Sequence, residues 1–161
     1  MDKKIKYFAY GSNLSIEQMK ERGIEVLDTE LAELPGWRLT FTEYSETWKG
    51  GVGDIVPTAD RKVEGVVYTL PEEDVVNLDH YEGRSIDDDM EVGMYRKQHL
   101  PVKKSSGWKT VLTYLVNRTE EYRSEVYLKP SKEYMETIIR GAEEHGLSDE
   151  YIDLLKDIEC D

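Results

Sequence analysis

Strand-like segments crowd the first 117 residues of the chain and two capped helices close it, and this order limits the fold more than any other feature of the sequence. Residues 4–10, 25–34, 37–44, a short stretch after the glycines of 47–57, and then 63–70, 93–103 and 108–117 have the β-branched and aromatic content of strands. Helices are predicted from Ser15 to the residue before Gly23, from Pro71 to Glu82, and over 131–146 and 148–159. The regular strand–helix alternation of a doubly wound sheet is missing, so the pattern points to an α+β fold.

Local punctuation supports the assignment. Ser15 is a good N-cap with Gln18 at the capping-box position, and Gly23 follows the helix. Pro35-Gly36 reads as a turn between two strands, and "TWKGGVGD" as a glycine-rich loop. Pro71 and three acids suit the first turn of the second helix. Ser105-Ser106-Gly107 joins two strands, and 117–130 reads as irregular. Ser131 and Gly146 bracket the third helix, and Ser148 caps the fourth. With 161 residues, no repeat and no linker, the chain reads as a single domain over 1–161.

Charge and composition remove whole classes of function. The formal charge is −13, from 34 acids and 21 bases, and no basic cluster is longer than Lys3-Lys4 or Lys103-Lys104. Such a chain repels phosphate backbones and anionic membrane surfaces, so neither is an expected partner. The first residues have too short an apolar stretch for a signal peptide, and no run is long enough for a transmembrane helix. The single cysteine, Cys160, rules out an internal disulfide and fits a reducing cytoplasm. Eleven tyrosines stand against two phenylalanines. Polar-tipped rings suit half-wet cavities and interfaces, though strand faces use them too.

The motifs for common chemistries fail one by one. Gly11-Ser12-Asn13 lies between an apolar strand and a helix, where a loop either makes a plain turn or gathers backbone N–H groups around an anion. It lacks the later glycines of a dinucleotide fingerprint and the Gly-Lys of a phosphate loop. Ser12 also lacks the Gly-x-Ser-x-Gly frame of a nucleophile elbow. His80, His99 and His145 have no ligand spacing. Asp87-Asp88-Asp89 and Glu91 lack the glycine and spaced ligands of an EF-hand loop. Cys160 has no base beside it in sequence. Glu82 remains. It follows Leu78 by four residues, on the apolar face of the second helix. It is either one more solvated acid or a carboxylate whose pKa apolar surroundings raise toward that of a working base.

Six blocks then match one family in register. "YFAYGSNL" (7–14), "TWKGGVGDI" (47–55), "EGVVYTL" (64–70), "LDHYEG" (78–83), "GMY" (93–95) and "YMETIIRGAEEHGLSDEYIDLLKDIE" (134–159) together resemble γ-glutamylcyclotransferase, from about residue 5 to 159. The Thr-Trp-x-Gly-Gly and C-terminal blocks are more similar to the γ-glutamyl-amino-acid branch than to the γ-glutamylamine or glutathione-specific branches. The resemblance implies a small mixed β-barrel with flanking helices and a cavity at its mouth. It implies conversion of a γ-glutamyl amide to 5-oxoproline and free amine, with no metal or organic cofactor, by a homodimer. Glu82 takes the place of the catalytic acid/base. Tyr10, Gly11, Ser12, Asn13 and Leu14 take the place of the substrate-binding loop, and Tyr95, Tyr114 and Tyr134 align with cavity tyrosines. The segment from Glu82 to Tyr95 is longer than the family leads one to expect, and it carries the three aspartates. It reads either as a solvated insertion or as a recognition loop for a cationic leaving group.

The chemistry suits these residues. The substrate's own α-amino group attacks its γ-carbonyl, and holding the two in attack geometry can be worth an effective molarity of about 10⁵–10⁸ M. One carboxylate then suffices, because the proton taken from the attacking nitrogen can be returned to the leaving nitrogen. The loop N–H groups and the positive end of the next helix would hold the substrate's oxygens. Two other expectations stay open: a γ-glutamyl amine or biosynthetic intermediate as substrate, and a non-catalytic small-molecule binding module.

Overall fold

The computed structural model describes residues 3–81 and 94–161. Among these residues, five strands form a closed barrel. They are β1 (Lys4–Ala9), β2 (Asp28–Ser45), β3 (Gly50–Pro71), β4 (Tyr95–Lys104) and β5 (Gly107–Val116), in the order β1-β3-β2-β4-β5. The β1–β3, β2–β3, β2–β4 and β4–β5 pairs are antiparallel. A parallel pairing of Tyr7 with Leu112 brings β5 back to β1, so the sheet is mixed as the resemblance implies. The helices are α1 (Ile16–Glu21), α2 (Val75–Tyr81), α3 (Glu120–Glu125), α4 (Lys132–His145) and α5 (Asp149–Lys156), with 3₁₀ turns at Ser12–Leu14 and Glu72–Asp74.

Two segments correct the local reading. Pro35-Gly36 does not end a strand, and the glycines of 47–57 are not a loop. β2 runs through 18 residues and β3 through 22, paired from Asp28↔Thr69 to Ser45↔Gly50. The ladder absorbs Pro35-Gly36 as a register shift between Pro35 and Trp37, and a second shift lies between Phe41 and Glu43. Such irregularities bend and twist a long hairpin, which helps it curl into a barrel. The stretch 117–130, read as irregular, contains α3, whose cap Thr119 accepts from the Tyr122 N–H. By contrast, Ser15, Ser131 and Ser148 cap the helices expected of them.

Side-chain alternation divides the buried residues into two groups. Phe8, Leu34, Ile55, Val63, Val67, Val111 and Leu115 form a cluster with no helix residue in it, and they fill the barrel. Their strand neighbours Tyr7, Ala9, Val66, Tyr68, Leu112 and Tyr114 point the other way, onto Leu14, Met19, Leu78, Ile138, Ala142 and Leu155. Period-2 strands therefore carry two cores, one inside the barrel and one under the helices. α4 lies close over the 3₁₀ turn: a Cβ on Gly141 would stand 2.6 Å from the Leu14 carbonyl carbon. Only glycine permits that approach.

Candidate active site

A cavity of about 90 Å³ lies where the helix-packed face of the sheet meets the segment after β1. Tyr10, Gly11, Ser12, Asn13, Tyr95, Tyr114 and Tyr134 all line it. The structure thus brings together seven of the eight binding residues expected from the sequence. Leu14 does not join them. Its side chain is fully buried in the core under the helices. Glu82 and Asp87-Asp88-Asp89 lie outside the described residues. Tyr81, immediately before Glu82 and last in α2, is at the cavity wall.

Reading local sequence signals alone missed several residues at this site. Tyr7, Arg22, Trp48, Val52, Gly53, Tyr81 and Met94 also line the cavity. Trp48 and Gly53 belong to the "TWKGGVGDI" block, whose glycines look like a loop until β3 is seen to carry them past the tyrosines. The Tyr134 hydroxyl accepts from the Gly53 N–H at 2.8 Å, and the Tyr95 hydroxyl donates to the Gly53 carbonyl at 2.6 Å. A side chain on Gly53 would sit 3.1 Å from the Tyr134 oxygen, so glycine leaves this double clasp room to close. Trp48 packs edge-on against Tyr134 with ring centres 5.1 Å apart.

The segment after β1 is organised by side chains more than by a helix dipole. α1 has only six residues, and Ser15 already satisfies the Gln18 N–H, so its positive end adds little. Nor does Gln18 complete a capping box. Its amide donates to Ser12 Oγ at 2.8 Å and to Asn13 Oδ1 at 2.9 Å. Buried Asn13 also accepts from Arg22 Nη1 at 2.9 Å and donates to the Tyr7 hydroxyl at 3.0 Å. Asn13 therefore holds Arg22 at the cavity, where the guanidinium also lies 4.9 Å from the Tyr81 ring centre. Arg22 is the only charged side chain among the described lining residues.

Behind this wall, His145 ties α4 to the 3₁₀ turn. Its Nε2 lies 2.8 Å from the Leu14 carbonyl and 3.0 Å from the Tyr68 hydroxyl. A carbonyl can only accept, so Nε2 carries a proton. Tyr68 in turn donates to the Asn13 carbonyl at 2.8 Å, and burial pushes its hydroxyl above the usual phenol range. Burial lowers the His145 pKa below its ordinary 6.5, against the pull of the Leu14 carbonyl and Glu144. The unfolded chain then binds more protons than the native one at mildly acid pH, so this contribution is intact above pH 6.5 and shrinks as pH falls below it. Wild type is expected to lose more thermal stability than His145→Gln between pH 7.5 and 5.5. Identical losses in the two proteins, by calorimetry, would remove His145 from this role.

Among the described residues, no three His, Cys, Asp or Glu side chains come close enough to share an ion. None of the described helices is long and apolar enough to cross a membrane.

Comparison with known proteins agrees with the architecture. Residues 62–155 match the model of the AIG2-like family. Over 158 residues the chain is 32% identical to γ-glutamylcyclotransferase of Mus musculus and 33% identical to that of Homo sapiens. Each alignment covers 95% of this chain and 78% of the relative. A solved γ-glutamyl cyclotransferase superposes with a TM-score of 0.83 at 30% identity, over 99% of this chain and 90% of that one. YkqA from Bacillus subtilis gives 0.80 at 28% identity, over 98% of this chain and 56% of that one. Identity at this level over nearly the whole chain, on the same barrel, makes this protein a member of the γ-glutamylcyclotransferase family of enzymes.

Proposed function

We propose that the protein closes γ-glutamyl amino acids or peptides to 5-oxoproline and releases the free amine, with Glu82 as acid and base. The α-nitrogen bonds to the γ-carbonyl carbon, and the bond from that carbon to the leaving nitrogen breaks. The proton lost by the first nitrogen returns to the second. The observation that carries the reading is the cavity wall. It joins the Gly11–Asn13 segment, one guanidinium and a set of tyrosines in a space suited to a small polar group. Such a site orients a substrate that supplies its own nucleophile, and orientation is the main thing this reaction needs. The resemblance supports the role of Glu82, as does the position of its neighbour Tyr81 at the cavity.

The test is release of 5-oxoproline from a panel of γ-glutamyl dipeptides, γ-glutamyl amines and glutathione. We expect at least one dipeptide to give 5-oxoproline and amino acid in equal amounts, and to be preferred over the amines and glutathione. Turnover of no compound, with 5-oxoproline still binding, would identify a binding module instead.

A further inference from the structure

The cavity is enclosed on one side and open on the other. Its inner wall is tyrosine: Tyr114 and Tyr134 are 2% and 3% exposed, and the Tyr10 hydroxyl donates to the Tyr114 carbonyl at 2.6 Å. The Tyr114 hydroxyl donates to Asp79 Oδ1, and Lys97 Nζ lies 2.8 Å from Asp79 Oδ2, so that acid already has its cation. At the open side Tyr81 is 47% exposed, and half-buried Arg22 lies against its ring. Arg22 caps the end of α1, where its backbone N–H donates to the Gln18 carbonyl. Its side chain is fixed from two directions, by Asn13 Oδ1 at Nη1 and by the face of the Tyr81 ring. Asn13 Oδ1 accepts from Gln18 as well as from Arg22, which orients the amide with its oxygen toward the guanidinium.

Neither contact neutralises the charge. In a chain with 34 acids, no carboxylate of a described residue pairs with Arg22, whereas Lys97, Lys104 and Arg123 each have one. A guanidinium offers five N–H donors in a planar fork, a shape that matches a carboxylate. We infer that Arg22 is a specificity-determining residue, and that its guanidinium, held by Asn13 and Tyr81, pairs with the carboxylate of the leaving amino acid. The inference rests on the γ-glutamyl reading above and names the leaving group that this site selects. Ring closure requires the glutamyl part to fold on itself, which suits the enclosed side among the tyrosines. The leaving residue then projects toward the mouth, where Arg22 stands. A γ-glutamyl amine has no carboxylate to offer there. In a γ-glutamyl tripeptide the carboxylate lies one residue, about 3.5 Å, farther out.

The experiment compares γ-glutamyl-alanine with γ-glutamyl-alaninamide, which lacks only the terminal charge. Turnover is read as 5-oxoproline release, and binding by calorimetry on the Glu82→Gln background, so that the compounds stay intact. With Arg22 present, the acid is expected to be preferred roughly tenfold in both kcat/KM and Kd, the scale of a hydrogen bond between charged groups. Arg22→Gln should bring the acid-to-amide ratio close to one. Arg22→Met keeps an apolar stem against Tyr81 and should show the same change, so it decides the matter if Arg22→Gln does not fold. Binding of 5-oxoproline separates the substrate's two carboxylates, because the product keeps the α-carboxylate and lacks the other. A ratio near one with Arg22 present, or an unchanged ratio without it, overturns the inference. So does a loss of 5-oxoproline affinity in the variants as large as the loss for γ-glutamyl-alanine, which would place the guanidinium on the α-carboxylate. A preference for the acid in binding that depends on Arg22, with no 5-oxoproline released from any γ-glutamyl compound, would sink the cyclisation reading and leave the role of Arg22 standing.

Discussion

Glu82→Gln is expected to lower 5-oxoproline release by about 10²- to 10⁴-fold, the range that a positioned general acid or base contributes. The amide keeps the size and shape of the carboxylate but cannot take a proton from the ammonium or return one to the leaving amine. Because the substrate carries its own nucleophile, the reaction needs no covalent intermediate on the protein, and proton transfer is the step left to the carboxylate. The expected signature is a fall in kcat with an unchanged thermal midpoint, measured by steady-state release and calorimetry on the same preparation. A well-folded variant with wild-type turnover would take Glu82 out of the mechanism.

Arg123→Ala is expected to cost about 3–5 kcal/mol of stability, because it leaves a buried charge without its partner. Asp54 is wholly buried and Arg123 is 1% exposed. Arg123 Nε lies 2.8 Å from Asp54 Oδ2, and its Nη2 donates to the Ile55 carbonyl at 2.6 Å. Asp54 also accepts from Thr42 Oγ1 at 2.7 Å, from its neighbour Ile55 N–H at 2.8 Å and from the Val116 N–H at 3.1 Å. One carboxylate thus links β2, β3, β5 and α3. It is adjacent to Gly53, whose two backbone groups hold Tyr95 and Tyr134, so disorder here reaches the cavity directly. For a domain of this size the loss corresponds to a drop of roughly 6–20 °C in Tm. Urea unfolding gives the free energy. A cost under about 1 kcal/mol, the value of an exposed ion pair, would show that Asp54 finds other compensation.

The two predictions differ in how far sequence alone could have reached them. Glu82 stands out in a linear reading because it closes an amphipathic pattern before a glycine. Nothing comparable marks Asp54 or Arg123. Asp54 follows a run of glycines, and Arg123 lies in a stretch without clear periodicity; they meet only because β3 and α3 pack together 69 residues apart. The same holds for Asp79 and Lys97, whose pairing depends on the β4–β5 register.

What the sequence by itself determined is local. Serine caps, left-handed glycines and β-branched runs act within a few residues, and they marked the helices at 15, 131 and 148, the strand class and the candidate loop after β1. A cap hydroxyl meets an N–H three residues on wherever the helix lies in the molecule. The tertiary structure decided whatever depends on distant partners. Pro35-Gly36 became an irregularity within a strand because the ladder runs on at both sides of it, with Pro35 opposite Lys62 and Trp37 opposite Pro57. The glycines of 50–53 became a strand because they let β3 pass close to Leu128 and Tyr134. The tyrosines acquired their directions as donors or acceptors only when Gly53, Asp79 and the Tyr114 carbonyl were brought to them. A hydroxyl is both donor and acceptor in the sequence, and its fixed neighbour chooses between the two.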